Sequence, residues 1–494
     1  MAIYSFSSFG YEGALVTIEV DLRRGIPAVD IVGLADGAVK ESRERMQAAI
    51  RNSGFDFPPE RVLISLSPAD IKKEGAGFDL PIALAVLAQH RNLKTENILV
   101  MGELELGGKV RPVKAIHGAC STALASGIEY AIVPKGTDVP NGIKYREVES
   151  LEEAFEALCD LDSFKYKEYE TGFSTEDKPI FDDFSDNCEE SFDNLKLNGL
   201  KYAMTVAAAG RHNLIAWGSP GCGKTMTLQM LPLITPRLTF EQAQSVTRIW
   251  SLAGLMRPNQ SYVKVRPFRM PHQTASIEGM CGGGIGCRPG EISLAHNGIL
   301  FLDEAAEFRS SCLQMLRVPL ENHTITLCRA GRSTVFPANF QLVMTTNPCP
   351  CGNYGSKEKI CLCSAKSIDL YWKKFSAPLL DRMEIRYDCN ADEVFSRKIT
   401  LKEARELVTH AWKVQMKRQG KLNNELTSQE VLDYCKLSDD AQKHLEGEIE
   451  RKDLSPRAVT NILKVARTLH DMFDDTDVIT DIDTALALYG KIEL

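Results

Sequence analysis

Residues 213–225, Asn213-Leu214-Ile215-Ala216-Trp217-Gly218-Ser219-Pro220-Gly221-Cys222-Gly223-Lys224-Thr225, decide how the chain folds. The apolar run Asn213–Trp217 predicts a buried strand, Gly218 to Gly223 a tight glycine-rich loop, and Lys224-Thr225 the start of a helix. Gly218-Ser219-Pro220-Gly221-Cys222-Gly223-Lys224-Thr225 has the spacing GxxxxGK[ST] in the strand–loop–helix setting that this spacing requires. Glycines let backbone N–H groups curl around phosphates, and the helix start adds positive potential. Lys224 is expected to reach the β and γ oxygens, and the Thr225 hydroxyl to ligate Mg²⁺. The expected ligands are therefore ATP and Mg²⁺.

Downstream segments supply the rest of such a site. Gly298-Ile299-Leu300-Phe301-Leu302 is wholly apolar, as a buried central strand is, and ends in Asp303-Glu304. Asp303 is expected to hold Mg²⁺ and Glu304 to polarise the attacking water. Alone, such an acidic pair reads as a solvated turn; the upstream phosphate loop changes the reading. A third apolar strand, Phe340–Thr346, ends in Asn347, whose amide is placed to orient water near the γ-phosphate. Pro378-Leu379-Leu380-Asp381-Arg382 sets an arginine where one subunit can present it to the next subunit's ATP; a surface ion pair is the alternative. Arg457, in LSPRAVTNILKVART, is expected to contact ATP from a helical lid, with Arg467 its rival.

The surrounding chain divides by composition. At 494 residues it exceeds one hydrophobic core, and 44% apolar with 25% charged residues is ordinary for a globular protein. No apolar run approaches the roughly 20 residues of a membrane span, and the start, MAIYSFSSFG, lacks an export signal. A cytoplasmic protein is expected, without membrane partners. The net charge of −8 argues against a basic coat yet leaves room for a basic central pore. Residues 1–160 read as a mixed α/β domain, with strand-like Ala14–Val20 and Val62–Ser67 and helix-like Gly37–Ser53. Residues 161–194 read as an exposed acidic linker, 195–390 as an α/β P-loop core, and 391–494 as a helical lid.

Two further patterns carry chemistry. Cys349, Cys351, Cys361 and Cys363 form C-x-C-x9-C-x-C, in which two close pairs can converge on one structural Zn²⁺; reduced thiols are the alternative. In Glu321–Phe336, β-branched residues flank Arg329-Ala330-Gly331-Arg332, which predicts a hairpin with two arginines near its tip. Those arginines either meet DNA phosphates or lie in a solvated turn.

Taken together these motifs resemble the YifB/ComM family of magnesium-chelatase-like AAA+ ATPases. The resemblance is carried by VDIVGLADGAVKESRERMQAAI, KKEGAGFDLPIAL, RPFRMPHQTASIEGMCGGG, RPGEISLAHNGILFLDEAAEF, NPCPCG and APLLDRMEI, in the family's order. It implies an AAA+ P-loop core, a helical C-terminal lid and a homo-oligomeric, hexameric ring in which Arg382 acts in trans. It also implies a DNA helicase driving branch migration in recombination or natural transformation. A chelatase-type motor that remodels a protein partner is the competing reading. The first domain resembles the ribosomal S5-type proteolytic domain of Lon, but Gly77 stands at the nucleophile position and Ala119 at the lysine position, so a non-catalytic module is expected. Three features depart from the family pattern: Lys196-Leu197 near the expected adenine contact, Gln273 after His272, and Ala305-Ala306 after the acids.

Overall fold

Along the strand Ala14–Arg23, alternate side chains turn inward, and Val16 and Ile18 are buried. In the computed structural model this strand pairs antiparallel with Ile3–Ser7 on one side and Arg61–Ser67 on the other. The structure describes residues 3–490 apart from 35, 70, 72, 74, 94–96, 138, 168–169, 176–177, 184–186, 258–259, 285, 330–331, 357–358 and 391–397. Eight strands make the N-terminal sheet, in the order Lys165–Tyr166, Lys144–Val148, Tyr130–Pro134, Ile98–Val100, Ile3–Ser7, Ala14–Arg23, Arg61–Ser67 and Val29–Val32. Helix Asp79–His90 is apolar nearly all round and accordingly lies in the core. Its one acid, Asp79, is paired there with Arg45 at 2.7 Å and accepts from the Ser42 hydroxyl.

The second sheet is parallel and five-stranded. Its order is Phe268–Arg269, Ile299–Leu302, Gln341–Thr346, Leu214–Trp217 and Ile385–Asp388. The three central strands are buried on both faces, which is why Leu214–Trp217 and Ile299–Leu302 read as continuous apolar runs and Gln341–Thr346 has an apolar centre, Leu342-Val343-Met344. The strand ending at Thr346 lies between the P-loop strand and the strand ending at Leu302. The acids after Leu302 therefore face the P-loop across an intervening strand.

Helices dominate the C-terminal part: Leu401–Gln419, Ser428–Tyr434, Asp439–Lys452, Pro456–Asp471 and Asp483–Leu488. They share one hydrophobic core with the parallel sheet, through Val408, Ala411, Trp412, Ile462 and Val465 against Leu200, Met204 and Leu214. Helix Asn198–Gly210 ends against Leu401–Gln419. Its last carbonyls lack intrahelical donors, and the Trp412 indole and Gln415 amide donate to Ala208 and Ala209, each at 3.1 Å. Among the described residues, no helix is long and apolar enough to cross a membrane.

The stretch 161–194, expected as an exposed linker, is instead laid onto both neighbours over most of its described residues. Lys165–Tyr166 extends the N-terminal sheet, Asp182 accepts from Arg237 at 2.9 Å, and Asp183 from Arg405 at 2.8 Å. Phe192 in the short helix Cys188–Asp193 is fully buried. The acidic composition conceals this, because a few aromatic side chains supply the apolar area that holds the segment down. A second tether lies at the N-terminal loop. The Tyr11 amide donates to Thr334 at 3.0 Å, its ring meets Phe336 edge-on, and the Arg248 guanidinium stacks over it.

At the heart of the C-terminal helices, fully buried Asp471 accepts from Arg418 at 2.6 and 2.8 Å, Arg467 at 2.9 Å and Asn423 at 2.9 Å. Asp471→Ala leaves a fully buried guanidinium and a largely buried one without their counter-charge. The expected cost is about 3–5 kcal/mol, read as a lower urea midpoint in tryptophan fluorescence. An unchanged midpoint would show that the network adds no stability.

Candidate nucleotide site

The glycine-rich turn takes the shape its residues permit. Gly221 and Gly223 have φ of +81° and +102°, a region that side chains with a Cβ rarely adopt. Strand Leu214–Trp217 is fully buried and delivers the turn to the sheet's C-terminal edge; the helix following it begins at Lys224. Asn390, just past the last strand, accepts from both the amide and the hydroxyl of Ser219 at 3.1 Å and so anchors the turn. The Lys224 ammonium donates to the carbonyls of Gly218 at 2.7 Å and Ser219 at 2.9 Å. Leu197 lies against this turn, 4.0 Å from where a Cβ on Gly223 would stand, and presents an apolar surface there.

Beside the turn, oxygens converge. Asp303 Oδ1 accepts from the Thr225 hydroxyl at 2.7 Å and the Thr345 hydroxyl at 2.5 Å. A hydroxyl and a carboxylate this close suit a hard cation that retains several waters, which is the Mg²⁺ preference. Glu304 sits at φ +49°, a left-handed backbone that a non-glycine residue adopts only when its surroundings hold it. Two bonds do so: its amide donates to Thr345 at 3.0 Å, and its carboxylate accepts from the Gln273 side-chain amide at 2.6 Å. Asn347 follows the central strand, half-buried.

The arginines separate. Arg467 is fully buried, donating to Asp471 and to the carbonyls of Thr476 and Asp477, and is a structural residue of the helical part. Arg457 is exposed on the first turn of helix Pro456–Asp471; one turn on, Asn461 donates to the Asp381 carbonyl at 2.9 Å. Arg382 is only 9% exposed, donates to the Pro378 carbonyl at 2.6 Å, and pairs with Glu321 at the surface.

The four cysteines come together. All four Sγ atoms lie within 4.8 Å of one another, and three of the separations are 3.4, 3.7 and 3.6 Å. A tetrahedral ion at about 2.3 Å from each sulfur spaces its ligands by about 3.8 Å, so the set fits Zn²⁺. The Tyr354 amide donates to Cys349 Sγ at 3.4 Å, as favours a thiolate ligand. The loop abuts the P-loop: a Cβ on Gly352 would meet Pro220 Cδ at 2.8 Å. Residues Thr324–Arg329 and Arg332–Pro337 form the expected hairpin, with Arg329 paired opposite Arg332. The tip 330–331 and the side chains of Arg329 and Arg332 lie outside the described residues.

Gln273, Thr345 and Asn390 are the residues that sequence reasoning did not assign. Gln273 appears there only as a departure from a family pattern. Nothing local marks the other two, because each reaches its partner across the sheet.

Sheet order, phosphate turn and paired acids define a P-loop ATPase core of the AAA+ class. Residues 197–395 match the family described as magnesium chelatase, subunit ChlI; residues 18–137 match the family described as subunit ChlI of Mg-chelatase, and residues 399–489 that described as magnesium chelatase, subunit ChlI C-terminal. The chain is 35% identical to the protein YifB of Escherichia coli (strain K12), over 97% of this chain and 94% of the relative. It is 36% identical to the competence protein ComM of Haemophilus influenzae, over 95% and 93%. A shorter match, 26% identical over 31% of this chain, is to the Lon protease of Fervidobacterium nodosum. The chain belongs to the YifB/ComM family of magnesium-chelatase-like AAA+ ATPases.

If Glu304 polarises the attacking water, Glu304→Gln keeps the phosphate cradle and the Asp303–Thr225 pair while removing the base. ATP binding is expected within a few-fold of the parent and steady-state turnover lower by about 10²-fold or more. Near-normal turnover in this variant would remove Glu304 from the reaction.

Proposed function

We propose that this chain is a cytoplasmic, ATP-hydrolysing ring that moves DNA: a hexameric helicase or branch-migration motor acting in recombination or natural transformation. The observation that carries the reading is the convergence of the Thr225 and Thr345 hydroxyls on Asp303 Oδ1 beside the phosphate turn, with Glu304 next in the chain and bonded through its amide to Thr345, in a chain similar over nearly its whole length to a competence protein. ATP supplies the phosphoanhydride whose cleavage drives the motor, and Mg²⁺ neutralises its charge. On this reading Thr225 and Asp303 hold the ion, Lys224 binds the β and γ oxygens, Asn347 orients water and Arg457 contacts nucleotide from the lid. Gln273 holds the Glu304 carboxylate until substrate draws it away.

Arg382 is the finger offered to a neighbouring subunit. Within one chain it is spoken for by Glu321, whose side chain is 57% exposed, so a subunit docking there can take over the acid and free the guanidinium. Arg329 and Arg332, opposite each other at the end of the hairpin, are assigned to backbone phosphates lining the pore. The base of that hairpin rests on Tyr11, which supports a role for the N-terminal domain in positioning it without chemistry of its own. The cysteine set is assigned one structural Zn²⁺.

Each assignment has a direct check. Single-stranded or branched DNA should raise the ATPase rate. Arg329→Ala with Arg332→Ala should abolish that rise, leave basal turnover intact, and reduce the slope of log affinity against log salt by about 0.7–0.9 per lost phosphate contact. A protein partner that stimulates turnover where DNA does not would favour a remodelling motor instead. Arg382→Ala should bind ATP but hydrolyse it slowly, and mixing it with Lys224→Ala should recover activity; no recovery in any mixture would oppose a shared site. Metal analysis should find about one zinc per chain, lost on Cys361→Ser with Cys363→Ser, and metal-free purified protein would refute the assignment.

A further inference from the structure

A cavity of about 300 Å³ lies where the N-terminal domain meets the P-loop core, and it shares no lining residue with the nucleotide site. Lys114, His117 and Thr137 line it from the N-terminal domain and Arg257 from the core. Its wall also holds the start of a ten-residue helix, Ile116–Ala125. Ala115, just before that helix, has φ +64°, and no side chain caps the first turn. The first amides of a helix have no acceptors within it, and a left-handed residue leading into a right-handed turn gathers successive N–H groups into a concavity that suits an anion. Two cations stand beside these amides. Lys114 and Arg257 are exposed, and neither enters an ion pair among the described residues. The Lys114 Nζ would stand 3.2 Å from a Cβ on Gly254, which ends the core helix Phe240–Ala253, so this side chain reaches across the domain junction. Among the described residues, no carboxylate lines the cavity.

Unpaired polar atoms at the same place point to a ligand. His117 is only 4% exposed and neither of its ring nitrogens has a hydrogen-bond partner; the Thr137 hydroxyl oxygen is likewise buried without one. Unpaired buried polar atoms are costly and rare in folded chains, so three of them on residues lining one cavity call for a partner. The His117 ring packs edge-on against Tyr262, with centroids 5.3 Å apart, which holds it in place. Burial, helped by the Lys167 and Arg248 charges, holds this imidazole down to about 3. At neutral pH it therefore supplies a hydrogen-bond donor without charge, and the positive potential comes from Lys114, Arg257 and the helix start. Helix amides, a guanidinium fork, an ammonium, a hydroxyl and an imidazole are more donors than a halide or a single carboxylate can use. The tetrahedral oxygens of a phosphate can engage donors arriving from several sides.

We propose that this cavity binds a small phosphate-bearing ligand, either inorganic phosphate or a compact phosphomonoester, across the junction of the N-terminal domain and the core. The volume is at the small end of ligand cavities and suits a ligand of that size. Because the donors come from both domains, occupancy ties one to the other. The site is independent of the ATP reading.

The test titrates inorganic phosphate and glycerol 3-phosphate calorimetrically, at constant ionic strength, into full-length Lys224→Ala, whose phosphate turn has lost its ammonium. A single bound ligand per chain is expected. Adding Lys114→Ala with Arg257→Ala should weaken binding by about 10-fold or more; both side chains are exposed, so an unchanged urea midpoint should verify the fold. His117→Leu removes two unpaired nitrogens at similar volume. Without ligand its midpoint should be no lower than that of the parent, while its phosphate affinity falls; a histidine with a purely structural role would show the reverse. Tighter binding of glycerol 3-phosphate would assign the site to an organic phosphate, and tighter binding of the free ion to phosphate itself. Failure of both ligands to bind, or affinity left unchanged by either set of substitutions, would overturn the proposal.

Discussion

The site depends on the carboxylate of Asp303. One oxygen accepts from Thr225 on the helix after the phosphate turn and from Thr345 on the strand between, so three separate elements meet at one atom. Thr345 also accepts from the amide of Glu304, which helps hold the acid's left-handed backbone, while the Glu304 carboxylate accepts from Gln273. A shift of any of these elements by an ångström would break hydrogen bonds whose strength falls steeply with distance and angle. On the proposed reading, magnesium placement by Asp303 and water activation by Glu304 would therefore be set by the same hydrogen bonds.

Around that node the packing is continuous. The C-terminal helices are built into the same apolar core as the P-loop sheet, and side chains of Leu401–Gln419 complete the carbonyl hydrogen bonds at the end of Asn198–Gly210. The phosphate turn is held from two further sides: Asn390 bonds Ser219, and the cysteine loop presses Gly352 on Pro220. The phosphate turn, the C-terminal helices and the cysteine loop are thus joined by direct packing that leaves little slack.

How much of this was legible in the sequence follows from distance along the chain. Gly218–Thr225 and Ile299–Leu302 announce themselves because glycine spacing and unbroken apolar runs are local signals that few other folds produce. Gln273 reaches Glu304, Asn390 reaches Ser219 and Glu321 reaches Arg382 only after the sheet has assembled, so no short window of residues contains both partners. The stretch 161–194 misled through composition, since Phe192 and a few ion pairs outweigh its many acids. Arg457 and Arg467 look alike in sequence; only burial and the bond to Asp471 separate a structural arginine from an exposed one.

The claim that Asp303 organises a magnesium–nucleotide site is tested most directly by titrating an ATP analogue calorimetrically into the parent and Asp303→Ala, each with and without Mg²⁺. The account predicts that Mg²⁺ tightens binding in the parent by at least 10-fold and has little effect in the variant, whose Mg²⁺-free affinity stays close to the parent's. An equal gain from Mg²⁺ in both proteins would place the ion elsewhere and contradict the account at its centre.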